Sequence, residues 1–290
     1  MDFSSKKAVQ RQLAGEGLRP KKGLGQNFLT DESVLFDIVS AAELTKDSCV
    51  LEIGPGMGVL TRELAKKAGS VVAVELDTTI LPVLEKNLSE FNNVTIINQD
   101  ILKVDLDKLF DDHFGDRSVK VIANLPYYIT TPIIMKLLEH HRITSIVVMI
   151  QREVARRLSA KAGSKDFGAI TLAVDYRAVA EPVRDVPPEA FMPAPKVWSS
   201  VIRLSLREEP PVTVLNEKHF FDLVKGAFSQ RRKTFVNSVG SYGALETNKE
   251  AVKAILEKLN IPETIRGEAL DIEAYAKISN EMVKMQKQSG

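Results

Sequence analysis

The chain has 290 residues, 44% hydrophobic and 27% charged, with a formal net charge of +1. That composition is ordinary for a soluble globular protein with a sizeable core, and the length allows one large domain or one plus a small appendage. No apolar run approaches the roughly 18 residues of a membrane span, Met1–Lys7 has no apolar stretch of a secretory signal, and a single cysteine, Cys49, permits no disulfide framework.

Residues 1–28 read as a basic arm, with Lys6, Lys7, Arg11, Arg19, Lys21 and Lys22 against Asp2 and Glu16. A helix is predicted near 31–42, with Asp31 as its cap and Val34, Leu35, Ile38 and Val39 at helical spacing. Strands are predicted at 49–53, 71–75, 94–98, 119–123 and 145–150, alternating with helices at 58–68, 78–90, 131–140 and 151–161. Strands separated by helix-length segments imply βαβ units and a parallel sheet. Ala169–Tyr176 and Trp198–Leu206 read as two further strands, joined by a proline-rich loop and paired antiparallel at the sheet edge. Glu208-Glu209-Pro210-Pro211 reads as a linker. Helical patterns near 217–229, 232–239, 249–258 and 271–286 then make a small all-α domain. The expected division is therefore 1–28, 29–207 and 208–290.

Leu51-Glu52-Ile53-Gly54-Pro55-Gly56-Met57-Gly58 ends the first strand and opens a helix. A nicotinamide fingerprint, Gly-x-Gly-x-x-Gly, needs its third glycine where Val59 stands. The spacing is instead Gly-x-Gly-x-Gly after Glu52. With an acidic residue ending the next strand, it resembles the S-adenosylmethionine loop of class I methyltransferases. Glu75 ends the second strand, where a carboxylate can accept from a ribose diol. Asp100 ends the third and can accept from the adenine amine of the cofactor. Asn124-Leu125-Pro126-Tyr127 ends the fourth, at the sheet edge where ligands bind in open α/β folds. An amide, a rigid proline and an aromatic ring suit a flat base with an exocyclic amine. Asn124 and a carbonyl of the Leu125-Pro126 region would accept from the amine, and Tyr127 would stack on the base.

Charge falls in patches: Arg152, Arg156 and Arg157 at helical spacing, then Lys225 with Arg231-Arg232-Lys233. Such patches are the footprint of a phosphate-binding surface. Cys49 opens an apolar strand and reads as a buried thiol. His140-His141 ends a helix pattern, and no Cys/His spacing suggests a metal site.

Asn124-Leu125-Pro126-Tyr127, the Glu52 glycine loop, Gly23-Leu24-Gly25-Gln26-Asn27-Phe28-Leu29 and Phe191-Met192-Pro193-Ala194-Pro195-Lys196-Val197 together resemble the ribosomal RNA adenine N6,N6-dimethyltransferases. Ala227-Phe228-Ser229-Gln230-Arg231-Arg232-Lys233-Thr234 resembles the bacterial small-subunit (16S) branch. The resemblance implies a class I, Rossmann-like α/β domain with a mostly parallel seven-stranded sheet and a small all-α C-terminal domain. It implies S-adenosylmethionine as methyl donor and two adjacent adenines, near the 3′ end of 16S rRNA in the 30S subunit or its precursor, as targets. The chain would act in the cytoplasm as a monomer. By resemblance, Asn27 and Leu29 join Gly54, Gly56, Glu75, Asp100 and Asn124 around the cofactor, and Phe191 faces Tyr127 across the target adenine. Large-subunit rRNA or DNA adenine methylation, and a mainly non-catalytic role in small-subunit assembly, are the alternatives.

Overall fold

The computed structural model describes residues 6–289; the first five residues of the predicted arm lie outside the described residues. The rest of that segment is more than an arm. Helix α1 (Lys6–Gly15) buries Val9 and Leu13, one helical turn apart, in a cluster with Phe28, Met57, Ile80 and Val83. Its exposed Lys6, Lys7 and Arg11 account for the basic appearance.

Strand β1 (Phe28–Leu29) and helix α2 (Glu32–Ala41) follow. Asp31 caps α2, accepting from the backbone N–H groups of Ser33 at 2.9 Å and Val34 at 3.4 Å. The alternation then runs β2 (Cys49–Ile53), α3 (Val59–Lys67), β3 (Ser70–Glu75), α4 (Leu81–Leu88), β4 (Val94–Asn98), α5 (Leu106–Phe114), β5 (Val119–Asn124), α6 (Thr130–Leu138) and β6 (Ile143–Gln151). β2 is buried at every residue, as an inner strand of a parallel sheet covered on both faces must be. Helix α5 was not anticipated. Asp105 caps it through Lys108 N at 3.1 Å, and Leu106, Leu109, Phe110 and Phe114 are its buried face.

Next come α7 (Arg152–Leu158), α8 (Ala169–Arg177), β7 (Ala178–Val186), β8 (Phe191–Met192) and β9 (Ser199–Leu206). The main sheet has seven strands in the order β4-β3-β2-β5-β6-β9-β7. β4, β3, β2, β5 and β6 pair in parallel, and β9 runs antiparallel to β6. The chain builds outward from β2 to β4, then returns to the other side of β2 with β5. That reversal is the topological switch point, where the carboxyl ends of neighbouring strands splay around a crevice. Ile53 and Asn124 end the two strands that flank it.

Two expectations are corrected here. Residues 169–176 form a helix, not a strand. Ile170, Thr171, Leu172, Ala173, Val174 and Tyr176 of α8 are all buried, so the sequence carries no polar face to mark a helical period. The sixth strand read there is β7, inside the stretch taken for a proline-rich loop. Pro182 is accommodated because β7 is an edge strand, where a missing N–H breaks no inner ladder.

The chain divides into two compact units. One ends at Ala155 and resumes over Val179–Leu206; the other holds Arg156–Ala178 and everything from Arg207. The second unit contains α9 (Glu217–Phe228), α10 (Phe235–Val239), α11 (Lys249–Lys258) and α12 (Ile272–Ser289). Its core joins Phe220, Leu223, Phe235 and Tyr275 to Leu172 and Tyr176 of α8. The expected boundary near residue 207 therefore omits α8, which belongs with the helical unit because its apolar surface is buried there. No helix among the described residues is long and apolar enough to cross a membrane.

Candidate active site

The structure gathers Asn27, Leu29, Gly54, Gly56, Glu75, Asp100, Asn124, Leu125, Pro126 and Tyr127 around one cleft at the switch point. The glycine loop forms its floor. Gly56 has φ +58°, and a Cβ there would meet the Phe28 ring at 3.1 Å. Gly58 has φ +85°, and a Cβ there would lie 2.9 Å from Leu84 of α4. One glycine thus admits close approach in the cleft, and the other lets the loop pack on a helix.

Glu75 is held by the loop it faces. Its Oε2 accepts from Gly56 N at 3.0 Å and its Oε1 from Asp77 N at 2.8 Å. A carboxylate offers about four lone-pair sites, so the group keeps acceptor capacity beyond these bonds. Burial pushes its carboxyl above the ordinary range, and the backbone donors oppose that rise. Asp100 lines the same cleft, with Oδ1 accepting from Leu102 N at 3.0 Å. Glu52, read above only as part of the loop motif, also lines the cleft and is buried to 1% exposure. Its Oε2 has no hydrogen-bond partner. Burial pushes its carboxyl up to about 8, the Thr61 hydroxyl opposing and the Glu75 carboxylate adding to the rise.

Across the cleft, Asn124 Nδ2 donates to the Asn27 carbonyl at 3.1 Å. Leu125 N donates to Met149 O at 3.1 Å. The Pro126 carbonyl is engaged by the Thr130 hydroxyl at 3.0 Å and by Ile129 N at 3.3 Å. That leaves the Leu125 carbonyl as a candidate acceptor for a ligand. The Tyr127 hydroxyl meets Ser199 Oγ at 2.5 Å, which anchors a half-buried ring at the cleft wall. Burial raises the phenol's pKa, so Tyr127 is neutral at pH 7.

Phe191 is 1% exposed and packed in a core cluster with Leu29, Val34 and Ile38, so it stands directly behind cleft-lining Leu29 and Ile38. Its place is fixed by backbone pairing: β8 lies antiparallel to β1, with Phe191 opposite Leu29, and Thr30 N donates to Ala190 O at 2.8 Å. Phe28 and Tyr128 do line the cleft and were not singled out. Tyr128 is 55% exposed, and only its place beside Tyr127 could have marked it. Ser199 could not be found from sequence, since its partner lies 72 residues away.

The basic residues also sort themselves. The Arg152 guanidinium lies 5.0 Å from the Trp198 ring centroid and 3.7 Å from Asp185. Arg231 donates to the Lys165 carbonyl at 2.9 Å and so braces the helical unit, while Arg232 and Lys233 are exposed.

Over residues 17–280 the sequence matches the family model described as ribosomal RNA adenine dimethylase. The chain belongs to that family. It is 50% identical to the ribosomal RNA small subunit methyltransferase A of Alkaliphilus metalliredigens, over 92% of this chain and 93% of that one. It is 46% identical to the protein of the same name from Clostridioides difficile, over 96% of each. Among solved structures it resembles a dimethyladenosine transferase from Plasmodium falciparum, with TM-score 0.76, 26% identity, and 90% and 98% of the two chains covered. It also resembles the 23S rRNA methyltransferase ErmE, with TM-score 0.70, 26% identity, and 89% and 100% covered.

As an rRNA adenine dimethylase the chain takes S-adenosylmethionine as its cofactor, and the cleft fits that molecule. A ribose diol would find the remaining acceptor capacity of Glu75. A cation would find the partnerless buried oxygen of Glu52. A positive-φ glycine loop ahead of α3 leaves room for close approach.

Proposed function

We propose that this adenine dimethylase acts on 16S rRNA, transferring two methyl groups to N6 of each of two adjacent adenines in a hairpin loop near its 3′ end. The substrate is the small subunit or its precursor, the setting is the cytoplasm, and the protein works as a monomer. The single observation that carries the chemistry is Asn124, whose Nδ2 is committed to the Asn27 carbonyl. A carbonyl only accepts, so the bond fixes which side of the amide is which and leaves Oδ1 for an amine. The small-subunit assignment is supported by the relatives at 46–50% identity, which are small subunit methyltransferases.

An adenine amine is a weak nucleophile because its lone pair is delocalised into the ring. Asn124 Oδ1 and the Leu125 carbonyl accept from the two N6 hydrogens and favour the pyramidal nitrogen, whose lone pair is localised. These acceptors gain strength as positive charge develops on the nitrogen, which is stabilisation aimed at the transition state. Tyr127, pinned through Ser199, gives the base a fixed wall and restricts its approach. When bound, the cofactor supplies an electrophilic methyl group on a sulfonium. No residue need act as a base in the transfer itself, since the proton leaves an already cationic nitrogen. A base paired in RNA must first leave its stack to enter the pocket. After the first transfer the nitrogen keeps one hydrogen, which one acceptor suffices to hold for the second.

Asn124→Ala tests this reading. Methyl transfer to undermethylated small subunits should fall by about 100-fold or more, with cofactor affinity largely kept. Transfer near the wild-type rate would remove Asn124 from the chemistry.

A further inference from the structure

The hydrogen bond that orients Asn124 depends on where the Asn27 carbonyl is held, and a buried carboxylate outside the cleft sets that place. Asp77 lies two residues beyond β3, is 4% exposed, and is not part of the cleft lining. Its Oδ1 accepts from Lys21 Nζ at 2.6 Å and its Oδ2 from Gln26 Nε2 at 2.8 Å. Thr79 completes its partners, through Oγ1 at 2.7 Å and N at 3.0 Å. The same segment is closed on itself: Lys21 N donates to Gln26 Oε1 at 2.8 Å, and Asn27 Nδ2 donates to Gly25 O at 3.1 Å. Burial alone would raise the Asp77 carboxyl, yet its bonds from Lys21, Thr79 and Gln26 hold it at about 2. It is therefore a full anion throughout the working range, gripping a neighbouring loop by a charge-assisted pair.

We propose that Asp77 is a positioning residue for methyl transfer: by clamping Lys21 and Gln26 it sets the Asn27 carbonyl, which locks the Asn124 amide with Oδ1 toward the target amine. Without the lock the amide can rotate and present its own NH₂ group to the NH₂ of the base, donor against donor. The end of β3 then serves two purposes. Glu75 faces the cofactor, and Asp77, whose N–H Glu75 accepts, faces the loop that orients the amine acceptor. The inference rests on Asn124 being that acceptor.

The test compares single-turnover methyl transfer to undermethylated small subunits, at saturating S-adenosylmethionine, with the dissociation constant of the cofactor. The proteins are wild type, Gln26→Ala, Lys21→Met, Lys21→Arg, Asp77→Asn and Asn124→Ala. Gln26→Ala, Lys21→Met and Asp77→Asn should each slow transfer by about 10- to 100-fold, with cofactor affinity changed by less than about threefold. Lys21→Arg keeps the ion pair and should restore most of the rate. Lys21 is exposed and Gln26 only half-buried, so their variants remain informative if Asp77→Asn folds poorly. Wild-type rates in Gln26→Ala and Lys21→Met, with Asn124→Ala inactive, would overturn the clamp alone. A loss of cofactor affinity as large as the loss of rate would also overturn it, making the segment a cofactor cover. An active Asn124→Ala would instead remove the reading on which the clamp depends.

Discussion

Glu52→Gln should make the protein more stable and a poorer binder of its cofactor. Glu52 is fully enclosed, its Oε2 has no partner, and its carboxyl sits at about 8 against an ordinary 4.5. The folded chain therefore keeps a proton that the unfolded chain has already released at neutral pH. Stability must fall as pH rises from about 4.5 to about 8, and level off above that. At pH 7, holding this carboxyl neutral costs about 3 kcal/mol. Glutamine is nearly isosteric and neutral at every pH, so it removes that cost. For a chain of this size the gain corresponds to a rise in melting temperature of roughly 5 °C. Differential scanning calorimetry of both proteins without cofactor, from pH 5 to 8.5, isolates the effect, because every other titrating group is common to the pair. The two melting temperatures should nearly coincide at pH 5 and diverge steadily toward pH 8. Cofactor affinity should move the other way, since a bound cation can draw the proton off Glu52 and meet a carboxylate, which glutamine cannot supply. A melting difference independent of pH would refute the reasoning, because Glu52 would then be ionised inside the fold.

Two further outcomes follow from the same geometry. Glu75→Ala removes an acceptor that organises the loop through Gly56 N and keeps lone pairs for a diol; cofactor affinity should fall by about 2–3 kcal/mol, roughly 30- to 150-fold, and an unchanged dissociation constant from titration calorimetry would remove the ribose role. Reversing exposed Arg232 and Lys233 to glutamate, with Arg231 kept because it braces the Lys165 carbonyl, should weaken small-subunit binding and flatten its dependence on salt. An unaltered salt slope would put the RNA surface elsewhere.

Much of the site was legible because a parallel sheet writes its functional positions at strand ends. β2, β3 and β5 are enclosed apolar runs, so the first polar residue after each run marks the edge of the cleft: Glu75 and Asn124 among them. The glycine spacing by itself excludes a nicotinamide fingerprint, because Val59 stands where its third glycine is needed. Reading failed where burial erased periodicity. Helix α8 is apolar on nearly every side and passed for a strand, which hid its membership of the helical unit. Strand β7 failed the opposite way: as an edge it carries Pro182 and exposed Val179 and Val183, the marks of a loop. Resemblance named Phe191 without its rotamer or its burial, and only the pairing with β1 sets it behind Leu29 in the core. The contacts that orient Asn124 were out of reach for a simpler reason. Asn27 lies 97 residues from Asn124, and Gln26 lies 51 from Asp77, so only the folded chain brings them together.

Dimethylation of adenine in 16S rRNA is read out from its product. It is tested most directly by incubating the protein and S-adenosylmethionine with undermethylated small subunits, large-subunit RNA and DNA. Mass spectrometry of the recovered nucleosides and of mapped RNA fragments then locates the product. N6,N6-dimethyladenosine is expected at two neighbouring positions near the 3′ end of 16S rRNA, with no methylated adenine in the other substrates. Methylated adenine only in large-subunit RNA or DNA would contradict it, as would tight binding to small subunits with no methyl transfer at all.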